Sequence, residues 1–243
     1  MDLGLTDKKA LVTGSTAGIG LAAARGLARE GAAVTVNGRT EARVNSAVNQ
    51  VKEAVPGAKI EGIAADLSGA EGCRILTDRL TEVDVLVNNV GIFEPKPFDQ
   101  VTDEDWMRFF ETNVMSGIRL ARHYAAGMRS RNWGRIVFVS SESALQIPTE
   151  MIHYGMTKTA QLAVSRGLAE TLAGTGVTVN SVLPGPTTSE GVGRMVEQSA
   201  AEQGLTISEV EQQFFKTMRP SSVIRRAVSG ASCINSRIAP PVC

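Results

Sequence analysis

The chain contains little cysteine, histidine or aromatic residue: three cysteines, two histidines and 5% aromatic residues in 243 positions. The cysteine count is odd and none of the cysteines stands at metal-binding spacing, which argues against a disulfide framework. No cluster of potential ligands in the sequence supports a metal site. We therefore expect ordinary reduced thiols and no metal.

The chain also lacks an excess of either charge, since it has 25 basic and 25 acidic residues. A neutral balance gives no electrostatic reason to expect nucleic acid or an anionic membrane as a partner. The N-terminus lacks the basic start and apolar run of a signal peptide, and no stretch reaches the roughly 18 to 20 apolar residues of a membrane span. These absences predict a cytoplasmic protein with neither nucleic acid nor membrane as partner.

Short β-branched apolar runs alternate with longer segments of helical periodicity over most of the chain. The predicted strands are residues 10–13, 33–37, 59–63, 84–88, 135–140 and 177–182. The predicted helices lie near residues 19–30, 41–54, 69–80, 103–130 and 155–173. This alternation predicts an α/β fold, with a doubly wound parallel sheet of Rossmann type and helices on both of its faces.

A glycine-rich turn, Gly-x-x-x-Gly-x-Gly, stands directly between the first predicted strand and the first predicted helix. At this position a nucleotide pyrophosphate is held by backbone N–H groups and the helix N-terminus. The first glycine permits the tight turn, the second the approach of the ligand, and the third close packing of helix and strand. The cofactor-binding residues predicted here are Gly14, Ser15, Thr16, Gly18, Ile19 and Gly20.

The end of the second predicted strand indicates which dinucleotide binds. An acidic residue near this point usually holds the free 2′-hydroxyl of NAD(H), but no carboxylate occurs until Glu41. Arg39 instead offers a guanidinium suited to a 2′-phosphate. The sequence therefore predicts NADP(H) over NAD(H), with NAD(H) left as the alternative.

Tyr154 and Lys158 form a Tyr-x-x-x-Lys pair on one face of a predicted helix. An ammonium beside a phenol favours the phenolate, which lowers a tyrosine pKa that is otherwise about 10. The pair is therefore a candidate for proton transfer near neutral pH.

Several further motifs follow one another along the chain. The full ordered set is Thr13 to Gly20, Asp66-Leu67, Asn88-Asn89-Val90-Gly91, Asn113, Ser141, Tyr154 with Lys158, and Pro184-Gly185. This set resembles the short-chain dehydrogenase/reductase family, and specifically its 3-oxoacyl-carrier-protein-reductase-like branch. The resemblance covers about residues 5 to 226, with Val90 at a position where the family commonly has alanine.

The resemblance implies a set of further site residues. Asp66 would bond the adenine amino group, with Leu67 nearby, and Asn113 would anchor a water in a proton relay. Ser141, thirteen residues before Tyr154, would bind the substrate oxygen, with Ser143 as the runner-up. The remaining implied cofactor contacts are Asn88, Val90, Gly91, Tyr154, Lys158, Pro184, Gly185, Thr187 and Ser189.

The resemblance also implies an activity and an assembly. Tyr154 would act as acid and base in hydride transfer between nicotinamide and a carbonyl or secondary alcohol, Lys158 would bind the nicotinamide ribose, and the chain would form a homodimer or homotetramer. The substrate stays open among 3-oxoacyl thioesters, sugars, steroids, quinones and other small ketones.

The last part of the chain departs from the family. Residues 1–226 are predicted to form the dinucleotide-binding domain, with a mobile substrate lid around 189–217, but residues 227–243 lack the family's final helix and strand. We therefore expect a sheet without its last strand. Two alternatives remain: a non-catalytic dinucleotide sensor, or a paralogue impaired by its altered tail.

Overall fold

The computed structural model describes residues 2–185 and 187 and, further along, residues 193, 196–197, 200–201 and 203–210. Within this part of the chain the strands are β1 Lys9–Val12, β2 Ala33–Gly38, β3 Ile60–Ala64, β4 Val85–Asn88, β5 Gly134–Val139 and β6 Val177–Val182. They form one parallel sheet in the order β3-β2-β1-β4-β5-β6. The strand order reverses between β1 and β4, as in doubly wound Rossmann-type sheets. The predicted fold class is confirmed.

Helices cover both faces of the sheet. They are α1 Gly18–Arg29, α2 Glu41–Ala54, α3 Ala70–Arg79, α4 Asp103–Phe110, α5 Ser116–Ser130 and α6 Ile152–Thr171. One group of buried apolar residues, including Leu11, Leu86 and Ile136, packs with α3, α5 and α6. The other group, including Val12 and Val34, packs with α1 and α2. Because successive strand residues point to opposite faces, β1 contributes Leu11 to the first core and Val12 to the second.

The prediction of one uninterrupted helix over residues 103–130 is wrong in its middle. A π-helical turn, Glu111–Met115, separates α4 from α5, and Ser116 N donates to Glu111 O five residues back. A π turn inserts one extra residue per turn and is frequent at functional sites. Apolar periodicity over so short a segment does not distinguish it from an α-helix.

Part of the predicted architecture falls outside the described residues. Most of the predicted lid, 189–217, lies there, as does the whole tail, 227–243, on which the expected loss of the last strand depends. Where the lid is described, Val196, Ala200 and Val210 are buried against one another. None of the described helices combines the length and apolarity needed to cross a membrane.

Candidate active site

A cavity of about 670 Å³ opens at the carboxyl ends of the strands. It extends from Arg39 and Asp66, beyond β2 and β3, to Tyr154 and Lys158 on α6, and it spans the point where the strand order reverses. In open α/β sheets this crevice is the usual place for a ligand. We call the part at the ends of β1 to β3 the dinucleotide half, and the part at β5, α6 and the π turn the catalytic half.

The glycine turn of the dinucleotide half depends on close backbone contacts. Gly14 has φ +58°, a left-handed conformation that side chains with a Cβ rarely adopt. A Cβ on Gly20 would lie 2.5 Å from Asn89 Nδ2 and 2.6 Å from Gly14 O, so this position has no room for one. Ala17 is the N-cap residue of α1, and no side-chain capping hydrogen bond is made there within the described part of the chain. The first N–H groups of α1 are therefore available to an anionic ligand.

Asn89 and Thr13 hold the ends of β4 and β1 together. Asn89 Nδ2 donates to Thr13 O at 2.9 Å and to Gly14 O at 3.0 Å. Thr13 Oγ1 in turn accepts from Asn89 N and Val90 N. Asn89 belongs to the Asn-Asn-Val-Gly motif, but no role was predicted for it. A polar side chain directly after a buried strand was the feature of the sequence that could have indicated this role.

The predicted contact between Ser15 and the cofactor is wrong, because neither the side chain nor the N–H group of Ser15 is free to make it. Its hydroxyl donates to Val12 O at 2.6 Å and accepts from Asn37 N at 2.9 Å. Its backbone N–H donates to Asn37 O at 2.8 Å, and the residue is fully buried. Ser15 therefore joins the glycine turn to β2, whereas Thr16, Gly18 and Ile19, also predicted to bind the cofactor, line the cavity.

The far end of the dinucleotide half carries exposed charges. Arg39 lines the cavity beyond β2, and Arg43 joins it from the first turn of α2. Asp66 is exposed, and its carboxylate accepts from Ser68 N at 3.0 Å, while the neighbouring Leu67 is buried. Arg43 was not predicted as a site residue, although a second arginine four residues after Arg39 could have indicated it.

Asn88 does not line the cavity, which corrects its predicted contact with the cofactor. It is buried at the end of β4, and neither amide atom has a hydrogen-bond partner among the described residues. A Cβ added to Gly117 of α5 would lie 3.3 Å from Asn88 Cγ, so the side chain lies beneath α5. Val90 and Gly91 do line the cavity.

Lys158 is almost completely buried at the wall of the catalytic half. Its Nζ donates to Val139 O at 3.0 Å and to Gln161 Oε1 at 3.3 Å, and lies 5.6 Å from the centre of the Tyr154 ring. Burial lowers the pKa of Lys158 to about 8. The ammonium is therefore held by two uncharged oxygen acceptors and has no ion pair among the described residues.

Tyr154 lies in the first turn of α6, and burial raises its pKa, partly opposed by a hydrogen bond with Ser141. The expected lowering of this pKa by Lys158 is not found, because burial raises the pKa of Tyr154 and the opposing contribution comes from Ser141. Tyr124, the chain's other tyrosine, is buried in the core, and its hydroxyl donates to Leu80 O at 2.7 Å. Of the two tyrosines, Tyr154 lines the cavity.

The three serines after β5 line the cavity but make different contacts. Ser140 Oγ donates to Lys158 O at 2.8 Å and so fastens β5 to α6. Ser141 Oγ accepts from Ser143 N at 3.1 Å and interacts with Tyr154, and both Ser141 and Ser143 line the cavity. The geometry thus brings Ser141 together with Tyr154 and leaves Ser143 on the same wall.

Asn113, in the π turn, is buried behind the cavity wall, not within the lining. Its Oδ1 accepts from Ile92 N at 2.7 Å, and its Nδ2 donates to Ile92 O and to Thr157 Oγ1, both at 3.0 Å. Its backbone O accepts from Gln161 Nε2 at 2.6 Å. The side chain thus links the π turn to α6 and to the loop after β4, and the water relay at Asn113 stays a prediction.

The outer wall of the catalytic half combines apolar and charged side chains. Phe93 meets Tyr154 edge to face, with ring centres 6.3 Å apart. Arg108 lines the cavity and pairs with Glu94 at 2.8 Å and with Asp105 at 3.0 Å. Glu142 also lines it. Phe93 and Arg108 were missed as site residues, because only the fold shows that α4 and the loop after β4 reach this wall.

The predicted contacts after β6 are described only in part. Pro184, Gly185 and Thr187 line the cavity, and Thr187 Oγ1 donates to Gly185 O at 3.0 Å. Ser189 lies outside the described residues.

Three comparisons place this geometry among known proteins. A model of the family described as short chain dehydrogenase matches residues 8–200. The uncharacterized oxidoreductase YvaG of Bacillus subtilis is 48% identical over 228 residues, which are 94% of this chain and 86% of YvaG. L-sorbose reductase from Gluconobacter frateurii, solved with NADPH and L-sorbose, matches with a TM-score of 0.85 at 30% identity. The match covers 93% of this chain and 87% of the reductase chain. Actinorhodin polyketide ketoreductase, solved with NADPH, matches with a TM-score of 0.80 at 29% identity, covering 90% and 85%.

Proposed function

As a member of the short-chain dehydrogenase family this chain is an NAD(P)-dependent oxidoreductase, and we propose that it moves a hydride between NADP(H) and a ketone or secondary alcohol. The observation that carries the proposal is one cavity with the glycine turn and Arg39 at one end and Ser141, Tyr154 and Lys158 at the other. A non-catalytic sensor would have no need of this second group.

The dinucleotide half fits a dinucleotide. The uncapped N-terminus of α1 and the tight left-handed turn at Gly14 beside it suit a pyrophosphate. When bound, the nicotinamide supplies or accepts the hydride. On this proposal Gly14, Thr16, Gly18 and Asp66 contact the cofactor, and Lys158 reaches the ribose beside the nicotinamide.

Tyr154 supplies the proton in the reducing direction. Its Oη donates to the carbonyl oxygen, which becomes the hydroxyl of the product, and the phenolate left behind takes a proton back in the oxidising direction. The raised pKa of Tyr154 suits the first role, because the group is protonated near neutral pH. The Lys158 ammonium stabilises the phenolate after the transfer.

Ser141 positions the substrate oxygen in this scheme. Its hydroxyl lies on the cavity wall beside Tyr154 and can donate to an oxygen that gains negative charge. Asn113 acts at a distance by holding α6 against the π turn.

The preference for NADP(H) rests on charge. Two arginines, Arg39 and Arg43, reach the end of the cavity beyond β2 and suit a 2′-phosphate. Structures of the two reductases above contain NADPH. We expect initial rates with NADPH to exceed those with NADH at equal concentration, and a clear preference for NADH contradicts this part of the proposal.

Cytoplasmic localisation and a homodimer or homotetramer remain predictions. On α5, the small residues Ala121 and Ala125 are buried in the chain's own core and so do not offer a subunit contact. Ala126 is exposed on the same helix.

The central test compares the two tyrosines. Wild type and variants are assayed by NADPH absorbance against a panel of ketones and acyl thioesters. Tyr154→Phe should lower kcat by about 10² to 10⁴-fold, because the proton donor is lost, while NADPH binding measured by fluorescence persists. Tyr124→Phe, which removes a core hydroxyl, serves as the matched control and should retain turnover.

Retained activity in Tyr154→Phe contradicts the assignment of the acid. If wild type binds NADPH but turns over none of the panel in either direction, the sensor hypothesis gains and the reductase proposal fails.

A further inference from the structure

Gln161 lies one turn beyond Lys158 on α6 and is 2% exposed, yet it was not among the predicted site residues. Both ends of its amide are used. Oε1 accepts from Lys158 Nζ at 3.3 Å, and Nε2 donates to Asn113 O at 2.6 Å. The amide thus joins the buried ammonium to the π turn.

The two groups that Gln161 joins need opposite partners. An ammonium offers only donors, and a backbone carbonyl offers only an acceptor. A carboxylate would suit the ammonium but repel the carbonyl, and a second cation would do the reverse. A primary amide has an acceptor and a donor on adjacent atoms, and glutamine is long enough to reach both groups from α6.

The surroundings of Lys158 leave little else to hold its charge. β5 presents Val139 O, the loop after β4 presents Gly91, and α6 presents Tyr154 and Gln161. A Cβ on Gly91 would lie 3.4 Å from Lys158 Nζ. The one titratable side chain among these is Tyr154, and among the described residues Lys158 has no ion pair.

The π turn supplies the other anchor. Within the π turn, the backbone O of Asn113 accepts a hydrogen bond from the Gln161 amide. The Asn113 side chain donates to Ile92 O and Thr157 Oγ1. The ammonium, the amide and the π turn therefore form one buried, connected group. Such fully paired networks rigidify the groups they contain.

We propose that Gln161 is a positioning residue that holds the Lys158 ammonium in its charged form and at its place beside Tyr154 by tying it to Asn113. Its catalytic consequence rests on the proposed function. Its effect on Lys158 itself does not, and the experiment measures that effect without substrate.

The experiment follows Lys158 by NMR in protein carrying ¹³Cε- and ¹⁵Nζ-labelled lysine, with the resonance assigned by its loss in Lys158→Arg. Gln161→Met keeps the length of the side chain and removes the amide. It should lower the pKa of Lys158 by roughly half to one unit, since an acceptor for the charged form is gone. Gln161→Glu should raise that pKa, because a carboxylate then faces the ammonium.

Ser165→Ala is the matched control, because Ser165 is buried one turn further along α6. It should leave the pKa of Lys158 unchanged. Opposite shifts in the Met and Glu variants support the positioning role, whereas an unchanged pKa in both overturns it. Thermal unfolding shows whether Gln161→Met and Gln161→Glu are folded. If one of them is not, the direction of the Lys158 pKa shift in the other decides.

Turnover gives a second readout. With a ketone found for the wild type, Gln161→Met should lower kcat about tenfold with little change in the KM of the ketone, and the fall of kcat at high pH should begin at lower pH. An unchanged kcat–pH profile together with an unchanged Lys158 pKa overturns the inference while leaving the reductase proposal intact. A wild type without any turnover overturns the reductase proposal, and the NMR titration still decides the inference.

Discussion

The two halves of the cavity are built by different means. In the dinucleotide half, backbone groups of the glycine turn and exposed side chains such as Arg39 and Asp66 line the cavity. In the catalytic half, Lys158 is 4% exposed and Gln161 2%, and both are held by buried hydrogen bonds. An exposed charge costs little to carry, whereas a buried polar group must be paired. Changes in the first half should therefore alter ligand choice, and changes in the second should alter stability as well.

The largest effect is expected at Asn113. Asn113→Ala removes three side-chain hydrogen bonds and leaves the backbone groups of Ile92 without their partner. The free energy of unfolding should fall by about 2–4 kcal/mol, measured by urea denaturation. Asn45→Ala, at an exposed position of α2, is the control and should leave the urea midpoint unchanged. Equal midpoints in the two variants would contradict the contrast between the halves.

At Lys158 we expect a smaller change in the free energy of unfolding, and of opposite sign. Below pH 8 the folded protein must bury a charged ammonium, whose lowered pKa of about 8 corresponds to a cost of about 3 kcal/mol. Lys158→Met removes that cost but also two hydrogen bonds, so at pH 7 we expect a net gain of about 1–2 kcal/mol in the free energy of unfolding, together with loss of turnover.

The pH dependence distinguishes this explanation from better packing. Between the folded pKa of about 8 and the ordinary lysine value of 10.5, the unfolded chain binds the proton that the folded chain has lost, so wild-type stability rises with pH in this window. The advantage of Lys158→Met should shrink there. Lys52→Met, exposed on α2, is the control. An advantage that stays constant from pH 7 to 10 would rule out a charge-burial cost.

The smallest effect on stability is expected at Arg39, in the dinucleotide half. Arg39→Ser should raise the KM for NADPH about tenfold, leave that for NADH unchanged and not move the urea midpoint, because the side chain is exposed. Arg79→Ser, exposed at the end of α3, is the control and should change neither KM. An equal loss with both cofactors would contradict a contact with the 2′-phosphate.

The parts of the structure that depend on residues close together in the sequence were predictable. The strands of the structure begin and end within one residue of the predicted ones, because β-branched runs between turn residues have few other ways to be buried. The glycine turn was placed correctly for the same local reason. The π turn was not predicted, because one extra residue in a helix leaves no distinct apolar pattern. Ser15 was assigned to the wrong surface, since a turn residue can point either way until the next strand is in place.

By itself the sequence determined the parallel sheet, the glycine turn and the order of the motifs, because local backbone preference and apolar periodicity decide these. The tertiary structure alone decided that Gln161 meets Lys158 and Asn113, that Asn113 binds protein atoms, and that burial raises the pKa of Tyr154. The reason is that desolvation and buried hydrogen bonds depend on what surrounds a group in space, and residues 92, 113, 139 and 161 come together only when the sheet and its helices have assembled.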